Sequence, residues 1–175
     1  SMGSREFLRS EQAESLRAAG IQIADALPGG LWRMPFVRFD LRLHRKLVVI
    51  DGRIGYTGSL NLVDPRYFKT EAGVGQWVDA MVRIEGPAVA AMQGTFLIDW
   101  YLETDASLDS LQPTADVIPQ EQVGQCAIQD LPSGPDLPAG AVEQVLLAAI
   151  YSADRELILT SPYFVPSEPL LLAMI

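Results

Sequence analysis

His44 is the only histidine in the 175 residues, and Lys46 stands two positions after it. On a strand, residues two apart share a face, so imidazole, ammonium and the nearby Arg42 would be presented together. Such a pair suits attack on phosphorus. A ring nitrogen supplies the lone pair, and the ammonium stabilises charge on the non-bridging oxygens. Asp51 follows inside Asp51-Gly52, the strongest short hairpin signal in the chain. The returning segment ends in Gly58-Ser59-Leu60-Asn61. A hairpin lays its strands side by side, so Ser59 and Asn61 would come back beside His44 and Lys46. A hydroxyl and an amide donor there would complete a phosphate cradle.

A lone histidine is more often a satisfied structural residue than a reactive one. The whole pattern, His-x-Lys-x4-Asp-x6-Gly-Ser-x-Asn, decides otherwise. At average composition its chance occurrence in a chain of this length is on the order of a few in a million.

The elements that must position these groups follow from spacing. Residues 5–19 read as a helix stopped by Gly20. Ile21–Leu27 alternates as a short strand. Leu41–Ile50 is a second strand, with Leu41, Leu43, Leu47 and Val49 on one face, and Ile54–Thr57 is its hairpin partner. Gln76–Ile84 alternates again. Gly86-Pro87 opens a helix to about Glu103, with Val89, Met92, Phe96 and Trp100 at core spacing. From Thr104 to Gly140, Pro113, Pro119, Pro132, Pro135 and Pro138 impose an irregular crossing segment. A helix over Ala141–Ser152, a strand over Glu156–Thr160, a loop bracketed by Pro162 and Pro166, and a last helix capped by Ser167 complete the chain. This order predicts a mixed α/β fold. Starting on one helix and stopping inside another is the appearance of a fragment, with Ile21–Leu27 or its neighbour left as an exposed edge that favours self-association.

Composition bounds the reading. Apolar residues make up 49% of the chain and are spread along it, which excludes a disordered protein. No apolar run approaches a membrane span and no signal peptide opens the chain; Ser1-Met2 has the look of an expression remnant. A formal charge of −9 argues against a general nucleic-acid binder. Yet Arg33, Arg38, Arg42, Arg45, Lys46 and Arg53 put six of the thirteen bases within twenty-one positions. Such an island suits one locally held phosphate, and from charge alone it suits a solvated strand face equally well. Cys126 is the only cysteine, so no disulfide framework or cysteine metal site exists. It reads as a buried apolar residue in a reducing compartment.

His44, Lys46 and Asp51 with Gly58, Ser59 and Asn61 resemble the HKD signature of the phospholipase D superfamily. The flanking text, LRLHRKLVVIDGRIGYTGSLNLVDPRYF, GVGQWVDAMVRIEGPAV and ILTSPYFVPSEPLLLAMI, resembles specifically the bacterial cardiolipin synthases. The resemblance covers nearly the whole chain and thins between Asp105 and Ala139. It implies a phospholipase D-like mixed sheet flanked by helices. The parts would be a first half-domain carrying the motif (5–104), the crossing segment (105–140) and the beginning of a second half-domain (141–175).

By the same resemblance, His44 would attack phosphorus or protonate the leaving alkoxide, while Lys46, Ser59 and Asn61 hold phosphate oxygens. Asp79, in QWVDA, matches an acidic position that orients the imidazole through its other nitrogen. Asp51 matches the motif's aspartate, and its place at a turn suits bracing the hairpin as well as touching substrate. Tyr56, Tyr67 and Trp77 read as packing residues. The implied parent reaction converts two phosphatidylglycerol molecules to cardiolipin and glycerol through a phosphohistidine, at the cytoplasmic side of a bacterial cell membrane. It calls for no metal or other cofactor and no nucleic acid; its partners are the lipid substrate and a membrane surface. A hydrolytic phospholipase or phosphodiesterase relative and a catalytically silent phosphate-binding fragment are the alternatives. The family chemistry uses two motifs, and this chain holds one histidine. The second would come from a downstream half or from a second copy in a homodimer.

Overall fold

The structure, a computed structural model, describes residues 6–26, 44–64, 66, 73, 78–104, 120–134, 138, 140–161 and 164–175. Contacts divide the chain into two units, Ser1–Ile128 and Gln129–Ile175, with the boundary inside the segment expected to be irregular.

The hairpin of the first unit is dictated locally. Asp51 and Gly52 both take positive φ, 51° and 62°, and the Arg53 N–H donates to the Ile50 carbonyl at 3.0 Å. Paired left-handed residues give a turn whose twist matches that of the strands it joins. Strand β1 (Leu47–Ile50) therefore pairs antiparallel with β2 (Ile54–Gly58), Leu47 opposite Thr57 and Ile50 opposite Ile54. Strand β3 (Met81–Glu85) pairs antiparallel on the other side of β2, Gly58 opposite Met81 and Ile54 opposite Glu85. The sheet order is β1-β2-β3.

Helix α1 (Glu11–Ala18) lies ahead of the sheet and α2 (Ala88–Glu103) follows it. The pairing puts Leu47, Val49, Gly55 and Ile84 on one sheet face, and α2 lies on that face. Val89 and Met92 of α2 are buried with Ile84, and Leu47, Val49 and Ala88 pack around them. Gly55 is the seat of this contact: a Cβ there would stand 2.6 Å from the Met92 sulfur. Of the helix residues expected in the core, Val89 and Met92 are buried. Phe96 is exposed and stacks on Trp100 with ring centroids 6.0 Å apart.

The second unit holds α3 (Ala141–Tyr151) and α4 (Glu168–Ala173), packed on each other. Ser167 occupies the N-cap position of α4 as expected, but its hydroxyl donates to the Glu143 carboxylate of α3 instead of capping.

Four expectations need correction. The helix expected over 5–19 is interrupted: residues 6–8 are helical, the chain turns at Arg9, and the helix restarts from its Ser10 cap, where the hydroxyl accepts from the Ala13 N–H. Residues 21–26 form no strand: the Ile21 N–H is spent on the Leu16 carbonyl, closing the end of α1. Leu27 lies outside the described residues, and among the described residues the sheet edges are β1 and β3. Residues 156–160 form no strand either. No strand lies among the described residues of the second unit, and Leu157, Ile158 and Leu159 are exposed. Cys126 is exposed, in a stretch without regular structure, where burial was expected.

Candidate active site

An antiparallel meander gathers alternate strand ends at one edge. The residues before β1 (44–46), those after β2 (59–61) and those before β3 (78–80) emerge together, because Leu47 faces Thr57 and Gly58 faces Met81. The β2–β3 approach continues past the strands: the Ser59 N–H donates to the Ala80 carbonyl at 2.9 Å. Gly58 makes this possible. A Cβ there would lie 2.2 Å from the Ala80 oxygen and 2.9 Å from the Met81 Cα. The glycine of Gly-Ser-x-Asn thus lets β2 press close enough to β3 for Ser59 to reach across.

Ser59 is the hub. Its Oγ accepts from the Ala80 N–H at 3.0 Å and donates to Asp79 Oδ1 at 2.7 Å. Lys46 lies within electrostatic reach of the same carboxylate. Burial lowers the Lys46 ammonium from its ordinary value of 10.5, and the Asp79 charge works in the opposite direction. Lys46 Nζ also donates to the His44 carbonyl at 2.8 Å, drawing the two motif residues together. Asn61 Nδ2 makes a long 3.4 Å contact to the Ser59 carbonyl, and its side chain is exposed to solvent beside the cluster.

The structure therefore brings Lys46, Ser59 and Asp79 together, with His44 and Asn61 on the adjoining backbone. His44 and Lys46 are not on the strand, which starts at Leu47; they lead into it. Among the described residues, Asp79 is bonded to Ser59 and no hydrogen bond joins it to the exposed His44 ring. Asp51 occupies the turn at the far end of β1, about 16 Å of strand rise from Lys46. Arg33, Arg38, Arg42, Tyr67 and Trp77 lie outside the described residues, and Tyr56 is half-buried on β2. The basic island divides: Lys46 joins the cluster, Arg53 sits at the hairpin turn, and Arg45 turns to α2, where its guanidinium donates to Asp99. That ion pair escaped the reading of spacing, although period-two alternation already sets residue 45 opposite residues 44 and 46. Among the described residues no group of three His, Cys, Asp or Glu is placed to hold a metal ion, and no helix is long and apolar enough to cross a membrane.

No protein-family model and no solved structure matches the chain. Curated relatives do. Cardiolipin synthase A of Pectobacterium carotovorum subsp. carotovorum (strain PC1) is 48% identical over 174 residues, covering 99% of this chain and 36% of the relative. That of Serratia proteamaculans (strain 568) is also 48% identical with the same coverage. That of Yersinia pestis bv. Antiqua (strain Angola) is 45% identical, again over 99% of this chain and 36% of the relative. The chain spans about a third of the length of these relatives, and each match covers 174 of its residues. Over 99% of its length the chain is homologous to the cardiolipin synthases A, which belong to the phospholipase D superfamily.

Proposed function

We propose that this chain supplies one half of a phosphatidyl-transfer site, in which His44 acts at phosphorus while Lys46, Ser59 and Asn61 hold the phosphate oxygens. The observation that carries the reading is the meeting of Lys46, Ser59 and Asp79 at the sheet edge next to His44. An ammonium and a hydroxyl share one carboxylate there, and the residue bearing the imidazole is bonded to Lys46 through its backbone carbonyl; charge stabilisation of a phosphodiester draws on groups of these kinds.

In the reaction, one imidazole nitrogen attacks the phosphorus of a phosphatidylglycerol; a P–N bond forms and the P–O bond to glycerol breaks. The leaving oxygen takes a proton from a second imidazole. The free hydroxyl of another phosphatidylglycerol then attacks phosphorus, its proton returns to that second imidazole, and the P–N bond breaks to give cardiolipin. His44 fills one of the two roles, and the other falls to an imidazole outside this chain. Asp79 orients the groups flanking the His44 ring through its bond to Ser59 and its charge beside Lys46. Asp51 braces the hairpin. The substrates are lipids, so the site works at a bilayer surface.

The test incubates phosphatidylglycerol vesicles with a chain extended along the length of the relatives, and with its His44→Ala variant. Cardiolipin and glycerol in equal amounts, lost in the variant, are expected. Phosphatidic acid in place of cardiolipin would select hydrolysis, and full turnover by His44→Ala would remove the reading.

A further inference from the structure

Arg45 stands between the two residues that the proposed function places at phosphorus, yet its side chain goes elsewhere. Its guanidinium reaches across 54 positions of sequence to the Asp99 carboxylate on α2. The pair is largely shielded, with side chains 25% and 21% exposed. Charge-assisted hydrogen bonds are the stronger kind, and shielding from water strengthens them further. The helix end of the pair is anchored, because α2 is seated on the sheet by Val89 and Met92. The other end is a segment that no strand pairing fixes: the β1–β2 ladder begins at Leu47, leaving residues 44–46 outside it.

We infer that the Arg45–Asp99 ion pair is a positioning clamp for this site: it fixes the 44–46 backbone to α2 and thereby aims His44 and Lys46 away from the helix toward Ser59 and Asp79. In extended chain, alternate side chains point to opposite faces, so a residue held on the helix side commits both neighbours to the other. Lys46 conforms, since it feels the Asp79 charge while Arg45 is held by Asp99. Arg45 and Asp99 touch no substrate in this arrangement. They act through His44 and Lys46, and the inference rests on the reading of those two as phosphate-contacting groups.

His44 being the only histidine makes the test direct. With histidine labelled in ¹³C and ¹⁵N, the 175-residue chain gives one set of ring signals. Inorganic phosphate is titrated into wild type, Asp99→Asn and Asp99→Glu, with circular dichroism confirming the fold. Wild type should show saturable movement of the ring signals. Asp99→Asn, folded, should show displaced ring signals before any phosphate is added, and phosphate binding weaker by about tenfold or more, since a misplacement near 1 Å can cost on the order of a hundredfold. Asp99→Glu, which keeps the charge, should recover most of both. Ring signals and phosphate binding unchanged in Asp99→Asn would overturn the clamp and leave the phosphate site standing. A wild type blind to phosphate would overturn the site itself, and the clamp with it. If Asp99→Asn does not fold, the exchanged pair Arg45→Asp with Asp99→Arg decides: wild-type ring signals support the clamp, and altered ones in a folded protein overturn it.

Discussion

The fold takes part of the water from Lys46, which makes its charged form harder to keep, and the Asp79 carboxylate resists the change. Replacing Asp79 by Asn removes only the resisting influence, so the Lys46 pKa should fall further below 10.5. Lysine NMR titration of the two proteins measures this, and an unchanged midpoint would remove Asp79 from the Lys46 environment. Between the folded and unfolded pKa values the unfolded chain binds the extra proton, so stability rises with pH through the window just below 10.5. Asp79→Asn should extend that window to lower pH. At this scale the pattern from His44 to Asn61 singled out candidates before any geometry, and the structure sets two of them, Lys46 and Ser59, beside Asp79 and leaves Asp51 at the far turn. The bond between Ser59 and Asp79 was not, because nothing in spacing says which of two acceptors a hydroxyl will choose. Arg45 was hidden for a similar reason. It counted as one more base in an island until α2 supplied its partner.

Two glycines carry the contacts between elements, and they should respond differently to an added methyl. At Gly55 the new Cβ meets the flexible end of Met92, which can swing away; at Gly58 it meets the backbone oxygen of Ala80, which cannot. Overpacking of this kind costs about 1–3 kcal/mol. Gly55→Ala should fall at the lower end and Gly58→Ala at the upper, as read from urea unfolding midpoints. Equal costs would show that β2 and β3 approach less closely than described. The hairpin and α2 were legible because their signals are local: Asp51-Gly52 sets a turn, and Gly86-Pro87 starts a helix. The strands expected at Ile21–Leu27 and Glu156–Thr160 failed because alternation states only that a segment could join a sheet. Joining needs a neighbour. Residue 21 gives its N–H to a helix end, and residues 157–159 find no strand among the described residues of their unit. The same limit left residues 44–46 of the strand expected over 41–50 outside the ladder, which starts at Leu47; residues 41–43 lie outside the described residues.

At the scale of the whole molecule, the proposed reaction ties activity to the count of imidazoles. The proposed reaction uses two, and this chain has one. General acid catalysis contributes about a hundred- to ten-thousand-fold, so a monomer of this chain should transfer phosphatidyl groups at least that much more slowly than the extended form. If two copies assemble a site between them, the rate at low protein concentration should rise with the square of concentration and vanish in His44→Ala. Activity strictly first-order down to concentrations where light scattering shows only monomer would refute the requirement for two imidazoles. The α/β character was legible from element order. The point at which the two units part, after Ile128, was not, because a run of prolines marks a crossing without saying where contacts cease.

The exposed position of Cys126 makes oxidation a variable in that kinetic experiment. A single solvent-facing sulfur on every copy lets two copies join through one covalent bridge in air, at a point the noncovalent contacts did not choose. A bridged pair would bring two His44 rings onto one particle and turn a second-order rate into an apparently first-order one. Adding a reductant would restore the concentration dependence. The same sulfur gives a single place to attach a fluorophore or spin label, so the separation between two copies becomes measurable without altering the sheet.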